Sequence, residues 1–126
     1  MIIAVVGSGG KTTLIKKLAA QYRSEGKSVL VTTTTHMFIE EDTLLTDDAV
    51  TIMQALNETG YVMAGIPDGQ KFKALSKETF DAVCAIADVV LVEADGSKCM
   101  PLKYPNAKEP VIPEETDEVI VVCGLN

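Results

Sequence analysis

The chain has 126 residues, of which 47% are hydrophobic and 23% are charged, and this composition predicts one folded domain with an ordinary apolar core. The net charge of −7 argues against a nucleic-acid partner, because neutralising backbone phosphates requires a surplus of clustered lysines and arginines. No apolar stretch approaches the roughly 20 residues that a membrane-spanning helix needs, and the apolar opening lacks the features of a signal peptide, so we expect a cytoplasmic protein without a membrane partner.

Apolar runs and helical patterns alternate along the chain. Continuous apolar runs of this length are typical of strands buried on both faces of a parallel sheet, and they predict strands at residues 2–6, 28–31, 61–64, 89–92 and 118–123. Apolar residues at helical spacing predict helices from residue 11 to Gly26, from a cap at Thr46 or Asp47 to Gly60, and after a cap at Ser76. Residues 40–46 and 65–73 are predicted to be loops, and the proline-rich residues 101–113 to be extended.

Strands that alternate with helices indicate βαβ units with right-handed crossovers. The predicted fold class is therefore α/β, with three layers and a mostly parallel sheet. The second predicted strand runs into Thr32, Thr33, Thr34 and Thr35, whose β-branched side chains suit extended backbone. The chain stops after its last apolar strand, before any helix that could cover it. We therefore expect a single domain over residues 1–126 that is truncated at its C-terminus.

A glycine-rich segment joins the first predicted strand to the first predicted helix. Such a turn points backbone N–H groups inward, and the helix N-terminus adds partial positive charge, so that even an acidic chain can bind a triphosphate there. The predicted phosphate loop comprises Gly7, Ser8, Gly9, Gly10, Lys11, Thr12 and Thr13. We expect Lys11 to reach the β- and γ-phosphates, Thr12 to ligate Mg²⁺ and Thr13 to add a phosphate hydrogen bond.

This loop departs from the full Walker A pattern, G-x-x-x-x-G-K-[ST], because the first glycine position falls on Val5. A shorter loop of the same kind is known in ATP-dependent ligases. The alternative, a glycine turn with an incidental lysine, is disfavoured because the strand, the turn and the helix all occur in the required order. The predicted fold is therefore that of a P-loop NTPase.

Two acidic residues follow the fourth predicted strand. Glu93 and Asp95 are two positions apart, so their side chains point to the same side of extended backbone. The carboxyl end of a parallel strand can face bound phosphates. We expect Asp95 to hold Mg²⁺ through water and Glu93 to position the metal or an attacking water, so the candidate catalytic residues are Lys11, Glu93 and Asp95. The alternative is an exposed acidic strand end followed by a turn.

Thr34, Thr35 and His36 follow the second predicted strand and are further candidates for nucleotide binding. β-propensity would also explain the threonines, and a structural or surface role would explain a single histidine. The three cysteines are widely spaced, and with one histidine they support neither a disulfide framework nor a zinc site. Cys99 follows the acidic segment, but nothing in the local sequence guarantees thiolate character, so we expect an inert thiol.

Three segments of the chain together resemble one family. They are residues 7–13, residues 32–37 (Thr-Thr-Thr-Thr-His-Met) and residues 93–98 (Glu-Ala-Asp-Gly-Ser-Lys), the last followed by residues 101–103 and 109–113. They are similar to the YqeC-like selenium cofactor biosynthesis proteins, which are accessory to selenium-dependent molybdenum hydroxylases. Members of that family are longer, which implies that a C-terminal portion is missing from this chain.

The resemblance also implies functional residues and partners. It implies a nucleotide site at Gly9, Gly10, Lys11, Thr12 and Thr13, and roles for Thr34, His36, Glu93 and Asp95. The partners that it implies are a nucleoside triphosphate and either a molybdenum hydroxylase or another protein of cofactor maturation.

Three functional hypotheses follow from these observations. The first is a Mg²⁺-dependent ATPase or ATP-dependent enzyme that helps to mature a selenium-containing molybdenum cofactor. The second is an ATP-dependent ligase domain, since the phosphate loop has the spacing of the Mur ligase loop. The third is a nucleotide-gated switch or insertion chaperone, in which binding reorders loops to dock a partner. ATP and GTP both stay open as the nucleotide, because no base-reading motif lies within the chain.

Overall fold

The computed structural model describes residues 1–94 and 116–123, in which strands and helices alternate. In chain order the elements are β1 (Ile2–Ser8), α1 (Lys11–Ser24), β2 (Val29–Thr33), β3 (His36–Phe38), β4 (Leu44–Leu45), α2 (Ala49–Thr59), β5 (Tyr61–Asp68), β6 (Lys71–Lys73), α3 (Lys77–Cys84), β7 (Val89–Glu93) and β8 (Glu118–Cys123). None of the described helices combines the length and the apolar character that crossing a membrane requires. Asp95, Cys99 and the stretch 101–113 that is predicted to be extended lie outside the described residues.

The described strands form one mixed sheet in the order β3-β6-β5-β2-β7-β1-β8, with β4 paired to β5. Neighbours from β5 through β2, β7 and β1 to β8 run parallel. At the other edge, β6 pairs antiparallel with β5 and with β3. Parallel strands of one sheet need a crossover connection, and α1 provides one between β1 and β2, which lie on either side of β7. The predicted α/β class with a mostly parallel sheet is confirmed.

Helices cover both faces of the sheet, and each face has its own apolar core. On one face, Ile15 of α1 packs in a cluster with residues of β1, β2 and β7, including Leu91. On the opposite face, Ile52 of α2 and Val83 of α3 pack in a second cluster that includes Val92. Neighbouring strand residues thus enter different cores, which explains why β7 reads as a continuous apolar run. This arrangement is compatible with the predicted three-layer architecture.

The cap of α2 differs from the prediction. The helix begins after Asp48, whose carboxylate accepts from the Thr51 N–H at 3.3 Å, so the prediction of Thr46 or Asp47 was wrong. Both predicted side chains have other partners. The Thr46 hydroxyl accepts from the Asp48 N–H at 3.1 Å, and Asp47 Oδ1 accepts from the Ser76 N–H at 2.9 Å. The predicted cap of α3 at Ser76 is confirmed.

Two stretches that were predicted to be loops contain strands. The first, residues 40–46, includes the short strand β4, and in the second, residues 65–73, β5 continues to Asp68 and the chain returns as β6. In the second stretch, the sequence feature that indicates a strand is the alternation of polar and apolar residues. Phe72 is fully buried between exposed Lys71 and Lys73. Gly65 makes room for this ring, since a Cβ there would lie 2.1 Å from Phe72 Cδ1.

Candidate functional site

The turn between β1 and α1 is shorter than predicted. β1 continues through Ser8, where β8 still pairs with it, so Gly9 and Gly10 alone connect the strand to the helix. Their φ angles are 68° and 77°, a conformation that residues with a Cβ rarely adopt. α1 starts at Lys11, the preceding Gly10 offers no side chain to cap it, and no acidic residue occupies its first turn. Among the described residues the amide end of this helix therefore has no side-chain cap, and such an end can bind an anion.

Gly7 has a structural role that the phosphate-loop prediction missed. Its φ is 124°, and a Cβ on this residue would lie 1.8 Å from the carbonyl oxygen of Val122 in β8. The absence of a side chain at Gly7 thus lets β8 approach β1 closely. The need for glycine at this position follows from strand packing, whereas the turn itself is made by Gly9 and Gly10.

Glu93 ends β7 beside the carboxyl end of β2. It is in register with Val5 of β1 and with Thr33 of β2. The Thr33 hydroxyl lies 2.9 Å from the carbonyl oxygen of Glu93 and 3.4 Å from Oε1 of the same residue. The Thr34 N–H donates to that carbonyl oxygen at 3.1 Å. These contacts fix the ends of the two strands relative to each other.

The carboxyl ends of β1 and β7 form a topological switch point. The chain leaves β1 through α1 toward β2 on one side, and it leaves β7 toward β8 on the other side of β1. Ligands of open α/β sheets bind in the crevice at such a point. The Gly9 and Gly10 turn follows β1 and Glu93 ends β7, so both lie at this crevice.

A cavity of 430 Å³ extends from this crevice to the antiparallel edge of the sheet, and its size is that of a small-molecule site. Its lining residues are Thr12, His36, Met37, Phe38, Glu40, Lys71 and Glu93. Three of the predicted site residues, Thr12, His36 and Glu93, therefore meet here from α1, β3 and β7. Phe38 and Lys71 were not predicted, because only the pairing of β3 with β6 brings them to the cavity.

Four other predicted residues are next to cavity residues in the chain, because Lys11 and Thr13 flank Thr12, and Thr34 and Thr35 precede His36. Lys11 immediately precedes Thr12 in the first turn of α1 and is half-buried, whereas Thr13 is exposed. Thr34 and Thr35 form the bend between β2 and β3. The Thr35 N–H donates to Thr33 Oγ1 at 3.0 Å. These two threonines are therefore part of a turn beside the strand end, and β2 itself stops at Thr33.

His36 begins β3 at the antiparallel edge of the sheet. Its Nε2 lies 2.9 Å from Oδ2 of Asp68 at the end of β5. The two residues are 32 positions apart in the chain, and β6 runs between their strands. This pairing could therefore not be predicted from the local sequence around either residue. Asp68 orients the His36 ring on the exposed face of the edge.

Of the charged side chains that the structure describes around the cavity, some form ion pairs and Lys71 does not. Glu40 is paired with Lys16 of α1 at 2.9 Å, and His36 is paired with Asp68. Lys71 lies over the ring of Phe38, with its Nζ 4.7 Å from the ring centroid. Within residues 1–94 and 116–123, Lys71 forms no ion pair. Among the described residues, Lys71 therefore lines the cavity without an ion pair, although Asp68 is opposite it in the pairing of β5 with β6.

The donor set at the crevice fits Mg²⁺ better than a transition metal. Among the described residues, no group of three or more His, Cys, Asp and Glu is placed to hold a metal ion. Mg²⁺ needs less, because it is usually held by one or two carboxylates, waters and substrate phosphates. Thr12 and Glu93, which both line the cavity, supply a hydroxyl and a carboxylate. The predicted metal residue Asp95 lies outside the described residues.

Comparison with known proteins gives a family and one curated relative. The family model described as YqeC protein matches residues 3–126. The uncharacterized protein YqeC of Escherichia coli (strain K12) is 38% identical over 131 aligned residues, which cover 98% of this chain and 51% of that protein. The chain thus spans about half the length of this curated relative. No solved structure matches the chain.

Proposed function

This chain belongs to the YqeC protein family, and we propose that it binds a nucleoside triphosphate with Mg²⁺ and hydrolyses it or transfers its terminal phosphate. The phosphates lie at the amide end of α1, on the turn of Gly9 and Gly10. ATP is the first nucleotide to test and GTP the second. The observation that carries the proposal is that Thr12 and Glu93 line one cavity, next to a helix end with no acidic residue in its first turn.

The backbone supplies most of the phosphate binding in this proposal. The first N–H groups of a helix have no partner within it, and the helix dipole adds partial positive charge. Gly9 and Gly10 turn the chain with positive φ angles, a conformation that favours glycine. They have no side chains that would block an anion. Lys11 adds a full positive charge at the same end, and Thr13 adds an exposed hydroxyl. This mode suits a protein with a net charge of −7.

The side chains at the crevice divide the remaining work. Thr12 offers a hydroxyl to Mg²⁺, and Glu93 either holds a metal-bound water or orients an attacking water. The metal ion, when bound, neutralises charge that develops on the transferred phosphate. Thr33 is a positioning residue, because its hydroxyl reaches both the carbonyl and a carboxylate oxygen of Glu93. Asp95 is proposed as a further metal residue from its place two positions after Glu93.

We further propose that this activity serves the maturation of selenium-dependent molybdenum hydroxylases. The support is the three-segment resemblance to selenium cofactor biosynthesis proteins, together with membership of the YqeC family. Under this proposal the protein partner is a molybdenum hydroxylase or another protein of cofactor maturation. Association of the full-length relative with such an enzyme, measured by co-purification at endogenous levels, would test it, and the absence of any such association would count against it.

Isothermal titration with ATP, GTP, ADP and GDP, each with and without Mg²⁺, tests nucleotide binding directly. We expect Lys11→Ala to weaken triphosphate binding by about tenfold or more, because a hydrogen bond to a charged group contributes roughly 1.5 to 3 kcal/mol. Lys17→Ala is the matched control, since Lys17 is exposed on the same helix beyond the first turn. Equal effects of the two substitutions, or no nucleotide binding at all, would overturn the proposal.

The metal role is tested separately with Glu93→Gln, which keeps the size of the side chain and removes its charge. We expect the Mg²⁺ dependence of ATP binding and of phosphate release to weaken strongly in this variant. Glu78→Gln is the control, because Glu78 is an exposed carboxylate in the first turn of α3. An unchanged Mg²⁺ dependence in Glu93→Gln would remove Glu93 from the metal site while leaving the phosphate site standing.

A further inference from the structure

The cavity has a second wall that the phosphate and metal chemistry does not use. Thr12 and Glu93 form the wall at the crevice, and Phe38 and Lys71 belong to the wall at the antiparallel edge. Phe38 and Lys71 are directly opposite each other in the pairing of β3 with β6. A compound that fills the cavity would therefore touch this pair at one end and lie beside Thr12 and Glu93 at the other.

The chemistry of this second wall is specific. Phe38 is 68% exposed, although it belongs to a strand whose neighbouring residue Met37 is buried. Its ring offers a flat apolar surface, and aromatic side chains bind other rings by offset or edge-to-face stacking. The Nζ atom of Lys71 lies over this ring, 4.7 Å from its centroid, so a ligand ring would stack on the part of the Phe38 surface that the amine leaves uncovered. Lys71 has no ion-pair partner among the described residues. Such an amine recognises an anion.

The carboxylates in and near the cavity have partners or roles of their own. Glu40 is neutralised by Lys16, and the Asp68 carboxylate is engaged by His36, each at 2.9 Å. Glu93 is on the opposite wall, where the proposed function assigns it to the Mg²⁺ site. At this wall of the cavity, Lys71 is therefore the group that attracts an anion, although Asp68 is opposite it in the pairing of β5 with β6.

We propose that the edge of β3 and β6 binds the second substrate of the chain, a small compound that combines a flat ring with a carboxylate or phosphate group. The ring stacks on Phe38 and the anion pairs with Lys71. This assignment rests on the proposed function, because that function places a nucleotide phosphate and Mg²⁺ at the other wall. The compound would then lie within the same cavity as the terminal phosphate.

Simple probes separate the two features of this compound. Phenyl phosphate has the ring and the anion, cyclohexyl phosphate has the anion without a flat ring, and benzyl alcohol has the ring without the anion. Each is titrated into the isotope-labelled 126-residue chain and followed by the amide shifts of residues 36–38 and 71–73. We expect phenyl phosphate to bind most tightly and benzyl alcohol to cause no saturable shift. Tighter binding of benzoate than of phenyl phosphate would identify the preferred anion as a carboxylate.

Substitutions locate the binding. Lys71→Ala should weaken phenyl phosphate binding by about threefold to fivefold, in the range of exposed ion pairs, and Phe38→Leu should abolish the preference for the flat ring. Lys73→Ala is the matched control, because Lys73 is exposed on the same strand and does not line the cavity. The spectra of each variant without probe report whether it is folded.

One further variant keeps this proposal distinct from the proposed function. Lys11→Ala should retain phenyl phosphate binding even though it weakens triphosphate binding. If Lys11→Ala abolishes phenyl phosphate binding, the probe occupies the phosphate turn and the second-substrate site is overturned. No saturable binding of phenyl phosphate, or equal losses in Lys71→Ala and Lys73→Ala, would also overturn it. Failure of the nucleotide titrations alone would leave an anion site at Lys71 without a neighbouring triphosphate.

Discussion

The hydroxyl of Thr33 lies 2.9 Å from the main-chain carbonyl oxygen of Glu93, and this contact links the carboxyl ends of β2 and β7. The same oxygen atom of Thr33 accepts from the Thr35 N–H at 3.0 Å. It therefore connects the strand that carries the acidic side chain to the bend that leads into β3. A local change at Thr33 should affect both stability and the position of Glu93.

Thr33→Val keeps the shape of the side chain and removes these hydrogen bonds. We expect the free energy of unfolding to fall by about 1 to 2 kcal/mol, because buried acceptors and donors are left without partners. Under the proposed function, the Mg²⁺-dependent affinity for ATP should fall several-fold as well. Urea denaturation and isothermal titration measure the two effects.

Thr32→Val is the control for this prediction. Thr32 is buried on the adjacent position of β2, and its hydroxyl donates to the Ala64 carbonyl oxygen of β5 at 2.8 Å. We expect Thr32→Val to lose a similar amount of stability and to bind ATP with the same affinity as the wild type. If both variants lowered the affinity equally, the contact between Thr33 and Glu93 would have no special role at the site.

Gly7→Ala tests the close packing of β1 against β8. The new Cβ would lie 1.8 Å from the Val122 carbonyl oxygen, so the backbone of one strand must move. We expect a loss of at least about 2 kcal/mol in the free energy of unfolding, as for other overpacked sites. Gly26→Ala is the control, because Gly26 also has a positive φ but nothing lies within 4 Å of its added Cβ. It should cost only about 1 kcal/mol.

Near-equal losses in Gly7→Ala and Gly26→Ala would contradict the packing of β8 against Gly7. Amide exchange provides an independent measurement. In Gly7→Ala the amides of β8 should lose protection before those of β2, because β8 is the described strand that pairs with β1 at the altered position, whereas β2 does not pair with β1.

Asp48→Ala tests the helix cap that the sequence pattern placed one or two residues too early. Loss of the hydrogen bond to the Thr51 N–H should lower the free energy of unfolding by about 1 kcal/mol. Glu58→Ala removes an exposed carboxylate from the same helix without touching its cap and should change stability little. A loss in Glu58→Ala as large as that in Asp48→Ala would show that charge, and not capping, determines the effect.

Most of the central sheet could be predicted from local pattern. β1, β2 and β7 are short apolar runs that are mostly buried on both faces of the sheet, so they show no polar alternation. β8 is an apolar run of the same kind, although its Val119 and Val121 are exposed in the described part of the chain. The turn with Gly9 and Gly10 was recognisable because a strand, glycines and a helix follow one another in sequence. The α2 cap was missed because three polar residues in succession could each accept the bond, and contacts with α3 and within the turn decide among them.

The site was only partly predictable, for a different physical reason. Thr12 lies just after β1 and Glu93 ends β7, and local patterns identify both strands. Their proximity was predictable because the carboxyl ends of neighbouring parallel strands lie at the same edge of a sheet. Phe38 and Lys71 meet through an antiparallel pairing between β3 and β6, which are separated by β4, α2 and β5 in the chain. The glycines and the proline near β6 also indicate a turn, and they concealed the alternation around Phe72.

The pKa of Tyr61 gives a prediction for alkaline unfolding. Burial of its phenol, with smaller contributions from the charges of Asp42 and Glu40, raises this pKa to about 12 from the ordinary value of 10.0. Between these values the unfolded chain loses the phenolic proton while the folded chain keeps it, so stability falls as pH rises from 10.0 toward 12. The contribution is complete below pH 10.0 and is on the order of 1 kcal/mol after solvent screening is allowed for.

Tyr61→Phe isolates this contribution from the other groups that titrate at alkaline pH. The phenylalanine has no proton to lose, so the free energy of unfolding of the variant should decline less steeply than that of the wild type over this range. Tyr22→Phe is the control, because Tyr22 lies in α1 and packs against the same core cluster as Tyr61. Urea denaturation at a series of pH values measures both slopes. Parallel declines in the wild type and Tyr61→Phe would mean that burial does not hold the Tyr61 proton in the folded chain.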